Sequence, residues 1–457
     1  MKKLFTFIAV ICLALNASAQ YQVANSDFEK WTASSGEPDH WHGFKSASGG
    51  LAGSAMGTLG YSEDRHSGQY SALITAGSVF GIVNNGTFTT GQLNASSMSA
   101  SNTKNHAHMD VESDETDNNG DKFYMPFTGH PDAMVFWYKF TQGTAQSTYK
   151  YASANAVIFD GSYYQDPEDK TYTNVVAKAG NKTITTTTSW TELIVPFEYT
   201  SNNVTPQAIL VTFGTNATPG KGSDGDKVWI DDVKFIYYSQ LKSLTINGVS
   251  VPGFDKDVYN YTVDSYYIEG TTSVDAVDNT KAGVATIAKN YDATTGKYTI
   301  VVTNQEGSES HTYTIQFKQY GYDLLSLAYN GVPITGYEQD GDALDVVLDE
   351  EFDINKLSYT LSEYAESTFD YDEETGFLAI TVTSKNGNSA EYDFNIYRRG
   401  DINNDSQVSI ADVTSLVNII LGKQPDYKVL VADVNGDKGV SIADVTALVN
   451  IILGKAN

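Results

Sequence analysis

Cysteine is all but missing from this chain of 457 residues. Its one thiol, Cys12, lies in an apolar stretch from Leu4 to Leu15, behind Lys2 and Lys3 and ahead of Ala17-Ser18-Ala19. Charged, apolar and small-residue parts in that order read as an export signal. Residues 1–19 are therefore expected to be cleaved after Ala19, leaving a protein that is secreted or at the cell surface and has no thiol. Disulfides, thiolate nucleophiles and cysteine-held metals are thereby excluded. No other apolar run approaches the roughly 18 residues that span a bilayer, so membrane insertion is not expected. Positive charge is scarce as well: 29 basic residues face 56 acidic ones, for a net charge of −27. That balance repels phosphate backbones and anionic lipid, so nucleic acid is not an expected partner. No nucleophile elbow, phosphate-binding glycine loop or His-Glu-x-x-His is present.

What the chain has in quantity is 30 Tyr, 20 Phe and 38 Gly, a composition that favours strands and turns. About 440 residues after processing exceed one core, so a mainly β, multidomain chain is expected. An 80-residue repeat marks its middle. Leu241-x-x-Leu244-x-x-Asn247-Gly248-Val249 recurs as Leu324-x-x-Leu327-x-x-Asn330-Gly331-Val332, and Asn-Gly between apolar alternations signals a hairpin. Each copy closes with two alternating runs, Tyr298 to Val302 and Tyr313 to Phe317, then Ile380 to Val382 and Tyr392 to Ile396. Antiparallel β-sandwiches over 241–319 and 320–398 are expected. They resemble the Ig-like or cadherin-like spacers of secreted bacterial proteins. Residues 20–240 lack a repeat and read as one jelly-roll-like β-sandwich with long polar loops.

A second repeat, of 32 residues, fills 399–457. Asp401-Ile402-Asn403-Asn404-Asp405-Ser406-Gln407-Val408-Ser409-Ile410-Ala411-Asp412 is matched by Asp433-Val434-Asn435-Gly436-Asp437-Lys438-Gly439-Val440-Ser441-Ile442-Ala443-Asp444. Side-chain oxygens at positions 1, 3, 5 and 12, with the position 7 carbonyls of Gln407 and Gly439, form the oxygen set a calcium ion requires. Apolar residues then run at helical spacing, Val413 to Leu421 and Val445 to Leu453, and stop at Gly422 and Gly454. Neither loop shows an entering helix. Two such loop-helix units resemble a type I dockerin, a small all-α calcium-binding module. The resemblance implies two bound calcium ions and a cohesin-like partner. It also implies recognition through Ile410, Ala411, Ile442 and Ala443, with Lys423 and Lys455 nearby. The near-identity of the two copies allows docking in two orientations; the alternative is that both isoleucines pack inward. Ser406 and Lys438 stand where glycine suits the bend, at an expected cost of about 1 kcal/mol per loop.

In the amino-terminal region, Asn25-Ser26-Asp27-Phe28-Glu29-Lys30-Trp31, Pro38-Asp39-His40-Trp41 and Val228-Trp229-Ile230-Asp231-Asp232-Val233 resemble the carbohydrate-metabolism domain of secreted Bacteroidetes proteins. The same stretches are similar to jelly-roll carbohydrate-binding modules. Glycan recognition needs flat aromatic faces beside hydrogen-bonding groups, for which Trp41, Trp31, Tyr163 and Tyr164 are candidates. The competing reading puts Trp31, Trp137, Trp190 and Trp229 in the core. Glu29 and Asp232 are candidate ligands of a third calcium. Asp117-Asn118-Asn119-Gly120-Asp121 has calcium-loop spacing without a closing carboxylate, and reads as a solvated turn. His106, His108 and Asp110 could hold zinc if they lay on a strand, although their flanks read as a loop. Three functions remain open: glycan binding coupled to docking in polysaccharide breakdown, a glycoside hydrolase in residues 20–240, and a structural or adhesive surface protein. No pair of carboxylates singles itself out for hydrolysis.

Overall fold

A computed structural model describes residues 20–32, 36–54, 58–79, 81–200 and 203–455; the expected export signal at 1–19 lies outside them. Strand far outweighs helix among the described residues, with three α-helices near the carboxyl end. None of those helices is long and apolar enough to cross a membrane. The chain forms two compact units. One takes in the described residues up to Tyr261 together with Gly270–Asn290 and Thr299–Thr314. The other takes in Thr262–Glu269, Tyr291–Tyr298 and the described residues from Ile315 onward.

In the first unit two five-stranded antiparallel sheets make a sandwich. One runs in the order Thr58–Ser62, Ser71–Thr75, Lys227–Ile236, Ala133–Thr141, Thr187–Pro196. The other runs Glu198–Tyr199, Val175–Ile184, Ala152–Phe159, Ala208–Gly214, Thr87–Thr89. The chain passes back and forth between them in jelly-roll fashion. Alternation along Ala133–Thr141 sends Met134, Phe136, Tyr138 and Phe140 inward. Phe136 meets Phe213 of the opposite sheet at 5.0 Å, and Phe88 and Trp41 extend the same aromatic cluster. Asn105–Met109 is a strand, paired with Gln92–Ala95 and Tyr164–Asp166, which corrects the loop expected there.

The Asn-Gly hairpins form in both repeats. Asn247 and Gly248 have φ of 49° and 77°, and Asn330 and Gly331 have 48° and 78°. Two consecutive positive φ values are the requirement of a type I′ turn. The second repeat lies wholly in the second unit. Its three-stranded sheet is Val332–Ile334, Leu324–Tyr329, Leu357–Leu361, and its four-stranded sheet is Leu344–Leu348, Ser389–Arg398, Phe377–Thr383, Glu366–Asp372. Leu324, Leu327, Ile380, Val382 and Phe394 lie in the core between them. Leu344–Leu348 pairs parallel with Ser389–Arg398, where an all-antiparallel arrangement was expected. A parallel neighbour needs a long crossover, which periodicity within either strand does not encode.

Three helices follow: α1 (Ile410–Ile420), α2 (Val429–Ala432) and α3 (Ile442–Ile452). α2 is one turn long and leads directly into the second loop, so that loop does have a short entering helix. α1 packs on α3 around Leu416, Ala432, Val434, Ala447 and Leu448.

Candidate metal centre and docking surface

Each metal loop is folded by its own first carboxylate. Asp401 Oδ1 accepts the Asp405 N–H at 3.0 Å and Oδ2 accepts that of Ser406 at 2.9 Å. Asp433 does the same for Asp437 and Lys438, at 3.0 and 2.8 Å. The closing carboxylate ties loop to helix. Asp412 accepts the N–H groups of Ile402 and Ser409, and Asp444 those of Asn435 and Ser441. Ser409 and Ser441 cap their helices in reciprocal capping boxes with Asp412 and Asp444. Beyond each helix Gly422 and Gly454, at φ of 70° and 65°, end it in the left-handed bend that glycine allows.

These bonds bring three carboxylates to one point twice over. Ligand oxygens of Asp401, Asp405 and Asp412 lie within 4.8 Å of one another, and so do those of Asp433, Asp437 and Asp444. Asp412 and Asp444 are fully buried and Asp401 and Asp433 nearly so. No Lys or Arg pairs with any of the six among the described residues. Burial, with Asp412 and Asp405 beside it, pushes the Asp401 carboxyl above its usual range. Two buried carboxylates with a third, exposed one beside them repel one another unless a cation joins them, so the donor set fits a hard divalent ion. Asn403 and Asn435 each donate to the position 5 carboxylate, at 2.7 and 3.0 Å, and sit where position 3 ligands belong. Gln407 and Gly439 occupy position 7.

Ile410 and Ile442 are 72% and 69% exposed, which removes the inward-packing alternative. Ala411, Ala443, Lys423 and Lys455 are exposed as well, and Leu421 and Leu453 add to the apolar surface at the helix ends. The module is anchored to the preceding repeat by Arg399, which bonds Asp349 at 2.6 Å and the Asp433 carbonyl at 3.1 Å. Lys428 adds a pair with Asp345 at 2.6 Å.

The amino-terminal candidates fare differently. Trp41 is fully buried, its Nε1–H bonded to the Ala24 carbonyl at 3.0 Å, and Tyr164 is buried beside Phe159. Both are core residues and cannot offer a ring to a sugar. Trp31 is half-buried against Tyr61, and Tyr163 is exposed beside His106 and His108. Glu29 accepts the N–H groups of Gln69 and Tyr70, while Asp232 bonds His66 Nδ1 and Ser67 Oγ. The two acids hold the same 66–70 loop, Asp232 at its start and Glu29 at its end.

Three tryptophans assigned to the core by the competing reading lie outside it. Trp137, Trp190 and Trp229 are half-buried on the outer face of one sheet, grouped around Lys139. The Lys139 ammonium is 5.7 Å from the Trp190 ring and 5.3 Å from the Trp229 ring, and pairs with Asp64. His66 stacks on Trp137 at 3.8 Å. The outward phase of Trp137 was readable, because it alternates with apolar neighbours and shares that phase with Lys139.

Comparison with known proteins agrees with the carboxyl-terminal geometry. Residues 399–453 match the dockerin type I domain; such modules bind calcium and dock onto partner proteins. No curated protein matches the chain. Among solved structures, the chain is similar to a "putative glycoside hydrolase" from Bacteroides thetaiotaomicron at 14% identity and TM-score 0.37, over 49% of this chain and 72% of that one. Another "putative glycoside hydrolase", from Bacteroides vulgatus, is similar at 15% identity and TM-score 0.29, over 39% and 76%. Likeness at that level carries no argument about activity.

Proposed function

We propose that this protein works outside the cell as a calcium-dependent docking partner for a cohesin-like domain, and that its amino-terminal sandwich binds glycan. The observation that carries the docking half is the pair of convergent aspartate triads, each in a loop that also carries an exposed isoleucine. Each triad takes one calcium through Asp401, Asn403, Asp405, Gln407 and Asp412, or through Asp433, Asn435, Asp437, Gly439 and Asp444. The ion supplies the positive charge that holds these oxygens together. Ile410, Ala411, Ile442 and Ala443, with Lys423 and Lys455, form the partner-facing surface.

Glycan binding rests on the outer-face group of Trp137, Trp190 and Trp229. Aromatic faces beside Asp64, Lys139 and His66 offer apolar stacking and hydrogen bonding together, as a pyranose requires. The test is a glycan array probed with the mature chain and with Trp190→Ala/Trp229→Ala, plus reducing-sugar release on every glycan bound. Binding that the double variant loses, without release, supports this reading. Release would make the protein a glycoside hydrolase, and silence on both would favour a structural or adhesive role.

A further inference from the structure

A polar cavity opens at the three-stranded sheet Tyr164–Asp166, Asn105–Met109, Gln92–Ala95. This is not the sheet that carries Trp137, Trp190 and Trp229. Leu93, Ala107, Met109 and Tyr164 are buried, and the residues alternating with them are polar. Register sets Gln92 and Gln165 on either side of His108, and Asn94 beside His106. Cross-strand partners share a face, so one face of this sheet carries these five hydrogen-bonding side chains and no apolar one. His106, His108 and Asp110 do not bring their ligand atoms together as a metal site; among the described residues only the two aspartate triads do.

Gln92 and Gln165 are only 7% and 4% exposed. Gln165 is fully used: its amide donates to the Thr103 and Pro167 carbonyls at 3.2 and 3.1 Å, and its oxygen accepts the Tyr163 hydroxyl at 3.0 Å. Gln92 donates to the Ser46 carbonyl at 3.4 Å, and its amide oxygen makes no hydrogen bond among the described residues. The cavity measures about 200 Å³, with Gln92, His108, Asp110, Ser113, Glu115 and Tyr163 in its lining. That is the space of about seven waters at roughly 30 Å³ each, enough for one sugar ring and too little for a chain. Tyr163 is 38% exposed, and His106 Nε2 stands 3.4 Å from its hydroxyl, on top of the bond to Gln165. A ring held in this way loses little freedom when a ligand stacks on it. Burial, with His106 beside it, lowers the His108 pKa to about 4. The imidazole is therefore uncharged at neutral pH, and the nitrogen not turned to the Gln92 backbone is left for a ligand.

We propose that this cavity binds one neutral pyranose residue at the end of a glycan chain, with the Tyr163 ring stacked on the sugar's C–H face and Gln92, His108, Asp110 and Glu115 bonding its hydroxyls. A sugar hydroxyl both donates and accepts, and this lining offers both kinds of partner. Two carboxylates, with no lysine or arginine among the described lining residues, repel an anionic ligand such as a uronate or a phosphate. The inference rests on the carbohydrate reading above for its ligand class, and adds a contact separate from the tryptophan face.

The test is saturation-transfer NMR of the full mature chain in calcium, with neutral monosaccharides, their methyl glycosides, uronic acids and amino sugars as probes. A neutral pyranose should bind, and its methyl glycoside should bind as well as the free sugar. Tyr163→Ala should weaken that binding about tenfold, Gln92→Leu and His108→Ala should weaken it too, and Trp190→Ala/Trp229→Ala should leave it unchanged. Tyr163 is at the surface, so its variant answers the question if the buried substitutions fail to fold. Loss in the tryptophan variant but not in Tyr163→Ala would overturn the cavity and leave the tryptophan face standing. Loss in Tyr163→Ala alone would support the cavity, whatever the tryptophan face binds. No sugar bound at all, or uronic acids or amino sugars bound in place of neutral ones, would overturn the inference, and binding confined to free sugars would overturn the chain-end assignment.

Discussion

Replacing Ser406 by glycine should tighten calcium binding at the first loop. Ser406 and Lys438 sit at φ of 67° and 69°. In that conformation a Cβ crowds the following carbonyl, at about 1–2 kcal/mol per residue. Glycine removes the crowding but loses about 0.5–1 kcal/mol more backbone freedom on ordering, so the net gain is about 0.5–1 kcal/mol. At about 1.4 kcal/mol per tenfold, affinity should rise roughly two- to fivefold. The strain belongs to the metal site because the bend aims the Ser406 N–H at the Asp401 carboxylate. Calorimetric calcium titration of the full chain reads the change directly. Ser406→Ala is the control: it keeps the Cβ, and should bind as the wild type does. If the glycine and alanine variants bind calcium equally well, the reasoning is refuted. Lys438→Gly should gain more at the second loop, because it also removes a positive charge beside the ion.

Chelation should unfold the carboxyl-terminal module alone. Among the described residues its core cluster has only five buried apolar side chains, too few to offset two carboxylate triads stripped of their cations; helical ellipticity near 222 nm should vanish on adding chelator while the strand signal persists. For docking, Ile410→Asp or Ile442→Asp alone should leave binding to a cohesin domain largely intact, and the two together should abolish it, as surface plasmon resonance would show. If either single change is as damaging as both, only one face is used. The sandwich should gain stability on acidification through Asp231, which is fully buried and whose carboxyl burial pushes up to about 6 from 3.8. A raised carboxyl makes folding take up a proton, so its contribution is complete below about pH 4 and fades as pH rises through 6, a span of about 3 kcal/mol. Urea unfolding of Asp231→Asn at pH 5 and pH 7.5 should show that part of the pH dependence gone.

What could be read from the sequence was whatever twelve or so contiguous residues build on their own. The metal loops converge because Asp401 and Asp433 bond amides four and five positions away, and the Asn-Gly hairpins turn on two adjacent residues. The helices end at Gly422 and Gly454 for an equally local reason. Whether a particular tryptophan faces core or solvent depends on which sheet its strand joins. Trp137 and Trp229 point outward through strand phase, whereas Trp41 lies outside any strand, where no period predicts its burial. The parallel pairing of Leu344–Leu348, the anchoring of Arg399 on Asp349, and the meeting of His42 with Asp117 all join residues some 50 to 75 positions apart. Such encounters are decided by packing of the whole domain, because only the folded sheets bring segments so distant in the chain side by side.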